Sequence, residues 1–349
     1  MILPGSQLFN LILLALGMLC LGTWANTFRM TSKWRFELYA FDFAVDMVVA
    51  SVLIGLTFGS LGWDGFALTD DLRIAAKQKD ALAMLGGAVF NLGNMLILGG
   101  LSIAGVTAAY MIGVSLMFTV GMVIMYVTSP SGNVMMLAVG ALLVLIAAVL
   151  LGVASRTHSL ERLVILMREG KTKSTKKVVS IKGLLLTAAG GIVASGFFPL
   201  VSAAHEGENG AGPYAIGIFF AVGVAISTFV YGLFFMNLPV QGEPLELTAY
   251  FKGRAKSHWL GILGGVLFYF GLISLLIVAR AEGKNIVPAF AIRALMLAAA
   301  VTGTLWGLVK WKEFANVGGK VRTILLIALF VAVVGMAGLT ASAGISTGG

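Results

Sequence analysis

The sequence predicts an all-α membrane protein with ten transmembrane helices, arranged as two inverted repeats of five helices. Three observations lead to this fold class. Of the 349 residues, 59% are hydrophobic and only 11% are charged, whereas soluble domains average about 25% charged residues. Ten apolar runs are each long enough to cross a bilayer as a helix. A nine-residue pattern also recurs five helices apart.

The apolar runs divide the chain into two halves around a charged centre. We expect a first five-helix repeat over 1–155, a basic cytoplasmic linker over 156–180 and a second five-helix repeat over 181–349. The runs begin near these ten residues: Leu8, Leu38, Ala81, Val106, Val134, Ile181, Pro213, Trp259, Ile286 and Arg322.

Basic residues are distributed unevenly among the loops. With ten helices, 18 of the 24 Lys and Arg residues fall on one side of the membrane, and only five fall on the other. Because cytoplasmic loops carry the excess of Lys and Arg, both termini are predicted to lie outside and the central loop in the cytoplasm. The sequence therefore predicts a multi-pass protein of the plasma or inner membrane, embedded in lipid.

The recurring pattern links the third and eighth runs. Residues 85–93 read LGGAVFNLG and residues 263–271 read LGGVLFYFG, with five of nine positions identical. A weaker similarity links Gly22-Thr23-Trp24 in the first run with Gly196-Phe197-Phe198 in the sixth. Since five is odd, the second copy must be inserted in the opposite orientation, and such inverted repeats place a binding site between the halves near the midplane. Chance similarity between Gly- and Phe-rich membrane helices is the alternative.

Two carboxylates interrupt the second run. Asp42 and Asp46 are four residues apart, so a helix places them on one face, one turn apart. A charged Asp at the centre of a lipid-facing helix costs about 2.5–3.5 kcal/mol. This face is therefore predicted to meet a cavity or a partner helix, where either acid would bind a coupling ion or would only form a structural ion pair.

Other polar side chains at membrane depth are candidate substrate ligands. Asn91 and Asn94 lie three residues apart near the middle of the third run, and Tyr269 takes the place of Asn91 in the second copy of the pattern. An amide both donates and accepts hydrogen bonds, which suits an uncharged polar solute. The alternative role for each asparagine is a hydrogen bond between helices.

Three further candidates lie nearer the ends of their runs. Trp24 and Asn26 lie at the cytoplasmic end of the first run, and Tyr110 lies early in the fourth. Trp24 would stack on a planar ligand, or would belong to the interfacial aromatic belt.

Arg293 lies within the ninth run and requires a counter-charge or carbonyl groups. The other runs contain no acid at a similar depth, so we expect Arg293 to pair with Asp46 or Asp42.

The sequence shows no motif for catalysis, metal binding or nucleic-acid binding. The three histidines show no metal-ligand spacing, no nucleophile is accompanied by a base, and the basic central loop is explained by topology and anionic lipid rather than by nucleic acid. The sequence therefore predicts no enzyme, no cofactor, no metal and no nucleic-acid partner.

Four segments carry a family resemblance: CLGTWANTF in the first run, YAFDF in the second, GGAVFNLGN in the third and LWGLVKWKEF at the end of the ninth. Between about Leu11 and Phe314 the chain resembles ureide permeases and their bacterial relatives, in the glucose/ribose porter branch of the drug/metabolite transporter superfamily. The resemblance implies ten helices in two inverted halves and a cytoplasmic central loop.

The resemblance also implies a function. Characterised members resemble proton-coupled importers of allantoin, uracil and related heterocycles, or of sugars, and their polar positions map onto Trp24, Asn26, Asp42, Asn91 and Asn94. The chain lacks the phosphate-loop-like motif of the plant members, and Arg293 is not typical of the family.

We therefore expect a secondary active transporter for a small polar solute. Asn91, Asn94 and Tyr269 would form hydrogen bonds with the solute, and Asp46 or Asp42 would carry a proton, or a sodium ion, through the cycle. The oligomer would be a monomer or a homodimer. A sugar porter, an exporter of amino acids or drugs, a membrane-embedded enzyme and a structural or sensor protein are the alternatives.

Overall fold

The computed structural model describes residues 1–31, 34–62, 66–168, 179–207, 209–281 and 286–344. In this part of the chain ten helices are long and apolar enough to cross a membrane. We number them α1 to α10: Gln7–Met30, Phe36–Thr57, Lys77–Ala104, Val106–Thr128, Val134–Arg168, Ile181–His205, Pro213–Asn237, Ala255–Ala279, Ala289–Lys310 and Gly319–Ala341.

The prediction of ten membrane-spanning helices is confirmed, and each helix begins within four residues of its predicted start. The largest boundary difference is at the central segment. Helix α5 continues to Arg168, so that 156–168 of the predicted linker is helical, while 169–178 lies outside the described residues. Short helices at Leu68–Ile74 and Thr248–Phe251 lie in the α2–α3 and α7–α8 connections.

Helices α1 and α6 are both interrupted at the sites where the sequence shows the weaker similarity. Helix α1 consists of Gln7–Leu21 and Trp24–Met30, and α6 consists of Ile181–Ser195 and Phe197–His205. Each break contains a glycine, a residue that weakens helix interiors. The break frees backbone groups, and the freed N–H of Ala25 donates to the Tyr110 hydroxyl oxygen at 3.0 Å.

Helices α4 and α9 each contain a π-helical segment, Ala109–Val114 and Trp306–Lys310. Such segments are rare and occur frequently at functional sites. They stand at opposite ends of their helices, close to the start of α4 and at the end of α9.

The helix packing pairs each helix of one half with helices of the other. Helix α3 packs on α6 and α7, α8 packs on α1 and α2, α2 contacts α7, and α5 packs along α10. If each helix is replaced by its counterpart in the other half (α1 by α6, α2 by α7 and so on), the same set of neighbouring pairs is obtained. The packing is therefore compatible with the predicted inverted repeat.

Repeated glycines let the central helices approach closely. A methyl group at Gly87 of α3 would overlap the backbone carbonyl of Phe220 in α7, and one at Gly265 of α8 would overlap the carbonyl of Phe43 in α2. Both glycines are the third residue of the LGG pattern. Such contacts between small residues and backbone are typical of membrane helix interfaces.

Glu313, in the α9–α10 connection, reaches the start of α4 and accepts hydrogen bonds from the N–H groups of Val106 and Thr107, both at 2.8 Å. The preceding Gly105 has φ +95, a conformation that favours glycine. A carboxylate at a helix N-terminus satisfies free N–H groups and complements the helix dipole.

Candidate functional site

The centre of the bundle is filled by six aromatic rings in two triangles. Trp24, Phe43 and Phe268 form one, with ring centroids 5.6–5.8 Å apart. The other is formed by Phe197, Phe220 and Phe90, with centroids 5.5–5.9 Å apart.

The triangles meet where Phe90 stacks on Phe268, with centroids 4.3 Å apart and ring planes at 28°. Both residues occupy the sixth position of the LGG pattern. We call these six rings the aromatic cluster.

A cavity of about 600 Å³ opens on the face at which α5 ends and α6 begins, which we call the linker face. It lies between the second half of α1, the start of α2, the end of α3 and the α7–α8 and α9–α10 connections. Its lining combines aromatic and charged side chains: Phe28, Arg29, Thr31, Trp34, Arg35, Phe36, Glu37, Leu101, Ser102, Gln241, Gly242 and Trp311.

A second cavity, of about 450 Å³, opens on the opposite face, at which α1 begins and α10 ends and which we call the terminal face. It lies between the second half of α6, the start of α7 and the end of α8, with the end of α4 and the start of α9. The second half of α6, the start of α7 and the end of α8 are the counterparts, in the second half of the chain, of three elements around the cavity at the linker face. Those three elements are the second half of α1, the start of α2 and the end of α3. The cavity includes Phe197, Phe198, Val201, Ser202, Leu276, Arg293 and Met296.

Four of the predicted site residues carry buried polar atoms that lack a hydrogen-bond partner among the described residues. These atoms are the Asp46 Oδ2, the Asn91 Oδ1, the Tyr269 hydroxyl and both amide atoms of Asn94. The Asn91 Nδ2, in contrast, lies 2.9 Å from the hydroxyl oxygens of Ser227 and Thr228 in α7. Unpaired buried polar atoms are costly and rare, so they mark positions where a ligand or water would restore hydrogen bonds.

The remaining predicted ligands are hydrogen-bonded or packed within the protein. Asn26 Oδ1 accepts a hydrogen bond from the Trp311 Nε1 at 2.8 Å. The Tyr110 hydroxyl accepts from the N–H of Ala25, as described above, and Trp24 is 3% exposed within the aromatic cluster. In this conformation these three side chains hold the second half of α1 in place.

Asp42 is bound by two residues that the sequence did not single out. The Tyr250 hydroxyl donates to Asp42 Oδ1 at 2.6 Å, and the His258 Nδ1 lies 2.8 Å from Oδ1 and 3.1 Å from Oδ2. Burial and the adjacent Asp42 carboxyl raise the pKa of the Tyr250 hydroxyl, so it remains a donor. We call Asp42, Tyr250 and His258 the Asp42 cluster.

The ion pair predicted between Arg293 and Asp46 or Asp42 is wrong. Arg293 donates to the Ser342 hydroxyl and lies 3.5 Å from the carbonyl oxygen of Leu339, both at the end of α10. The physical reason is depth: α9 begins at Ala289, so Arg293 lies one turn from the terminal face rather than mid-span. Backbone and hydroxyl oxygens solvate the guanidinium there.

Sequence signals for the Asp42 cluster were present but weak. His258 lies one turn into α8, and Asp42 lies in the second turn of α2, so both are near the linker face. Pairing them requires knowing that α2 and α8 are neighbours. The inverted-repeat pattern implied a relation between α3 and α8 and said nothing about α2.

No group of three or more His, Cys, Asp or Glu side chains that could hold a metal ion is present in the described ranges. The only cysteine in the sequence, Cys20, lies in α1.

The ten helices define an integral, multi-pass membrane protein whose centre is closed by aromatic rings between two opposed cavities. No family model matches the chain. Over 379 aligned residues the chain is 24% identical to Ureide permease 1 of Arabidopsis thaliana, covering 94% of this chain and 95% of that protein.

A solved structure described only as a crystal structure of a protein has a TM-score of 0.53 and 18% sequence identity, and the match covers 95% of this chain and 96% of that one. At that identity the likeness concerns the fold alone.

Proposed function

We propose that the protein is a secondary active transporter that imports a small polar solute, a ureide or nucleobase-like ring, by alternating access and with a coupled proton. The solute class is taken from the similarity to Ureide permease 1 along nearly the whole chain. It agrees with the neutral amide and hydroxyl groups at membrane depth, which suit an uncharged ring with donors and acceptors.

The observation that carries the proposal is the pair of opposed cavities separated by the aromatic cluster. Corresponding elements of the two halves line the two cavities, and the Phe90–Phe268 stack lies between them. In inverted-repeat transporters a central site is exposed alternately to either side as one half rocks against the other. The unchanged neighbour relations on exchange of the halves support the same motion.

The unpaired polar atoms are the proposed ligands of the solute and of the proton. Asn94, the Asn91 Oδ1 and the Tyr269 hydroxyl would bind the solute once the aromatic cluster separates, and Trp24 or Phe268 would stack on its ring. Asp46, whose Oδ2 is unpaired beside Gly265, would carry the proton. Burying these atoms without a partner costs about 1–3 kcal/mol each, and solute binding would recover part of that cost.

The experiment is a ligand screen by thermal stability, followed by transport assays with the compounds that bind. Purified protein is heated in detergent with ureides, nucleobases, sugars and amino acids, and compounds that raise the melting temperature are tested for counterflow in proteoliposomes. The proposal predicts stabilisation and counterflow with allantoin or uracil. Stabilisation by amino acids or sugars, with none by ureides or nucleobases, would contradict the proposed solute class.

Coupling is tested separately. In proteoliposomes an inward proton gradient should drive accumulation of the identified solute, and Asp46→Asn should retain counterflow while losing accumulation. If Asp46→Asn accumulates solute as the unmodified protein does, Asp46 does not carry the coupling proton.

A further inference from the structure

The Asp42 cluster links the buried part of α2 to the linker face. The Asp42 carboxyl is 4% exposed, whereas a quarter of the His258 side chain is exposed. One ring nitrogen, Nδ1, faces the carboxylate at 2.8 Å, and the other, Nε2, lies beside Gly253 in the α7–α8 connection. The imidazole therefore stands between a buried acid and the protein surface.

The ring of His258 is held in this position from both sides. Trp34 and Tyr250 pack edge-on against it, with centroids 5.0 Å and 4.8 Å away and interplanar angles of 71° and 81°. The Tyr250 hydroxyl also donates to the same carboxylate oxygen that His258 contacts. Two aromatic walls and a shared acceptor fix the orientation of the imidazole relative to Asp42.

Asp46 lies one helical turn from Asp42 on the same face of α2. Opposite them, α8 presents Gly261 next to Asp42 and Gly265 next to Asp46, also four residues apart. A side chain at either glycine would overlap the neighbouring acid. Residues four apart on a helix have Cβ atoms about 5–6 Å apart, and at Gly261 and Gly265 α8 places no side chain between the two acids.

We propose that Asp42, His258 and Tyr250 form the proton-release site of the transport cycle, through which a proton carried on Asp46 leaves at the linker face. This inference rests on the proposed function, and the positive-inside rule places the linker face in the cytoplasm. His258 acts as a proton-transfer residue and Tyr250 as a positioning residue.

The transfer needs only water besides these side chains. Asp46 gives up its proton through water and Asp42 takes one up, so that one carboxyl O–H bond breaks and another forms. Asp42 then gives its proton to the Nδ1 of His258 in the tautomer that carries hydrogen on Nε2, so that an O–H bond breaks and an N–H bond forms. The imidazolium then releases the Nε2 proton to water at the linker face, and the ring returns to its starting tautomer after proton exchange with water. Tyr250 remains protonated and stabilises the Asp42 carboxylate with its hydrogen bond, which favours release.

Three other ionisable side chains at the start of α2 have partners of their own. Arg35 and Glu37, at the start of α2, form an ion pair with each other. The hydroxyl of Tyr39 in α2 lies 2.7 Å from the Thr27 Oγ1 in α1. His258 is therefore the residue best placed to exchange a proton with Asp42.

The experiment compares His258→Asn with His158→Asn in proteoliposomes, with allantoin as the solute and uracil as a second probe. Asparagine places an amide near the position of Nδ1, so it keeps a donor to Asp42 but does not relay a proton. His158 is a matched control because it lies in α5, stacked on Phe314 and away from the Asp42 cluster. We expect His258→Asn to reduce gradient-driven accumulation by about tenfold or more, with counterflow within about twofold of the unmodified protein.

Retained counterflow also shows that the variant folds. Tyr250→Phe, which keeps the ring and removes the donor to the carboxylate, should raise the pH at half-maximal accumulation. Normal accumulation by His258→Asn, or equal losses in His258→Asn and His158→Asn, would overturn the proton-release site while leaving the proposed function intact. If the unmodified protein performs counterflow but does not accumulate solute with a proton gradient, the coupling itself fails and the inference falls with it.

Discussion

Phe90 and Phe268 occupy the same position in two copies of one sequence pattern, and their rings stack on each other at the centre of the bundle with centroids 4.3 Å apart. Phe90 of α3 forms a triangle with Phe197 of the broken helix α6 and Phe220 of α7. In the same way, Phe268 of α8 forms a triangle with Trp24 of the broken helix α1 and Phe43 of α2. A contact between equivalent residues is expected on a pseudo-twofold axis between two inverted repeats.

The first prediction concerns this stack. Phe90→Ala and Phe268→Ala should each lower the melting temperature in detergent, and the double variant should lose less than the sum. The expected coupling is about 0.5–1.5 kcal/mol, because aromatic pairs contribute that much beyond burial. Phe330→Ala, at a ring that is 69% exposed on α10, is the control. Additive losses would mean that the two rings do not stabilise each other.

The second prediction concerns the repeated glycines. Gly87→Ala and Gly265→Ala should each separate a helix pair and lower the melting temperature, because the added methyl group meets a backbone carbonyl that cannot rotate away. Gly152→Ala is the matched control: its Cβ would meet one Leu184 methyl at an ordinary 3.5 Å. At this position the higher helix propensity of Ala should stabilise the protein by up to about 1 kcal/mol. Equal stability of all three variants would argue against close packing at the centre.

Much of the architecture could be predicted from the sequence because its physical causes are local. Apolar length determines the spans. The breaks in α1 and α6 were not predicted, although Gly22 and Gly196, which lie at them, belong to the weaker similarity between the two halves. The partners of Asp42 and Arg293 could not be predicted, because they depend on which helices pack together and on where each helix begins. The π-helical segments of α4 and α9 left no signal in the apolar pattern.

The third prediction separates ligand-binding from structural asparagines. Asn94→Ala should leave the melting temperature nearly unchanged, because neither of its amide atoms has a partner in the described part of the chain. It should nevertheless weaken solute binding by about tenfold, the loss of one hydrogen bond of about 1.4 kcal/mol.

Asn26→Ala should behave in the opposite way. It breaks the hydrogen bond from Trp311 and should cost about 1 kcal/mol of stability. Thermal unfolding and equilibrium binding on the same preparations check both variants. If Asn94→Ala binds solute normally, Asn94 does not belong to the site.

The fourth prediction concerns Arg293. Exchanging the charges, Asp46→Arg with Arg293→Asp, should express no better than either single variant, because the two side chains are not partners. Arg293→Lys, which keeps a donor near Ser342 and Leu339, should retain more folded protein than Arg293→Asp. The yield of monodisperse protein after detergent extraction provides the measurement, and restored yield in the exchanged variant would point to an ion pair in another conformation.

Alternating exposure of the two cavities is tested most directly by cysteine accessibility. In a Cys20→Ser background, which removes the only cysteine, Ser102→Cys reports on the cavity at the linker face and Ser202→Cys on the cavity at the terminal face. The rate of reaction with a membrane-impermeant thiol reagent is measured with and without saturating solute. Alternating access predicts that solute raises the rate at one position and lowers it at the other. Rates that rise together, or that do not respond to solute, would contradict it.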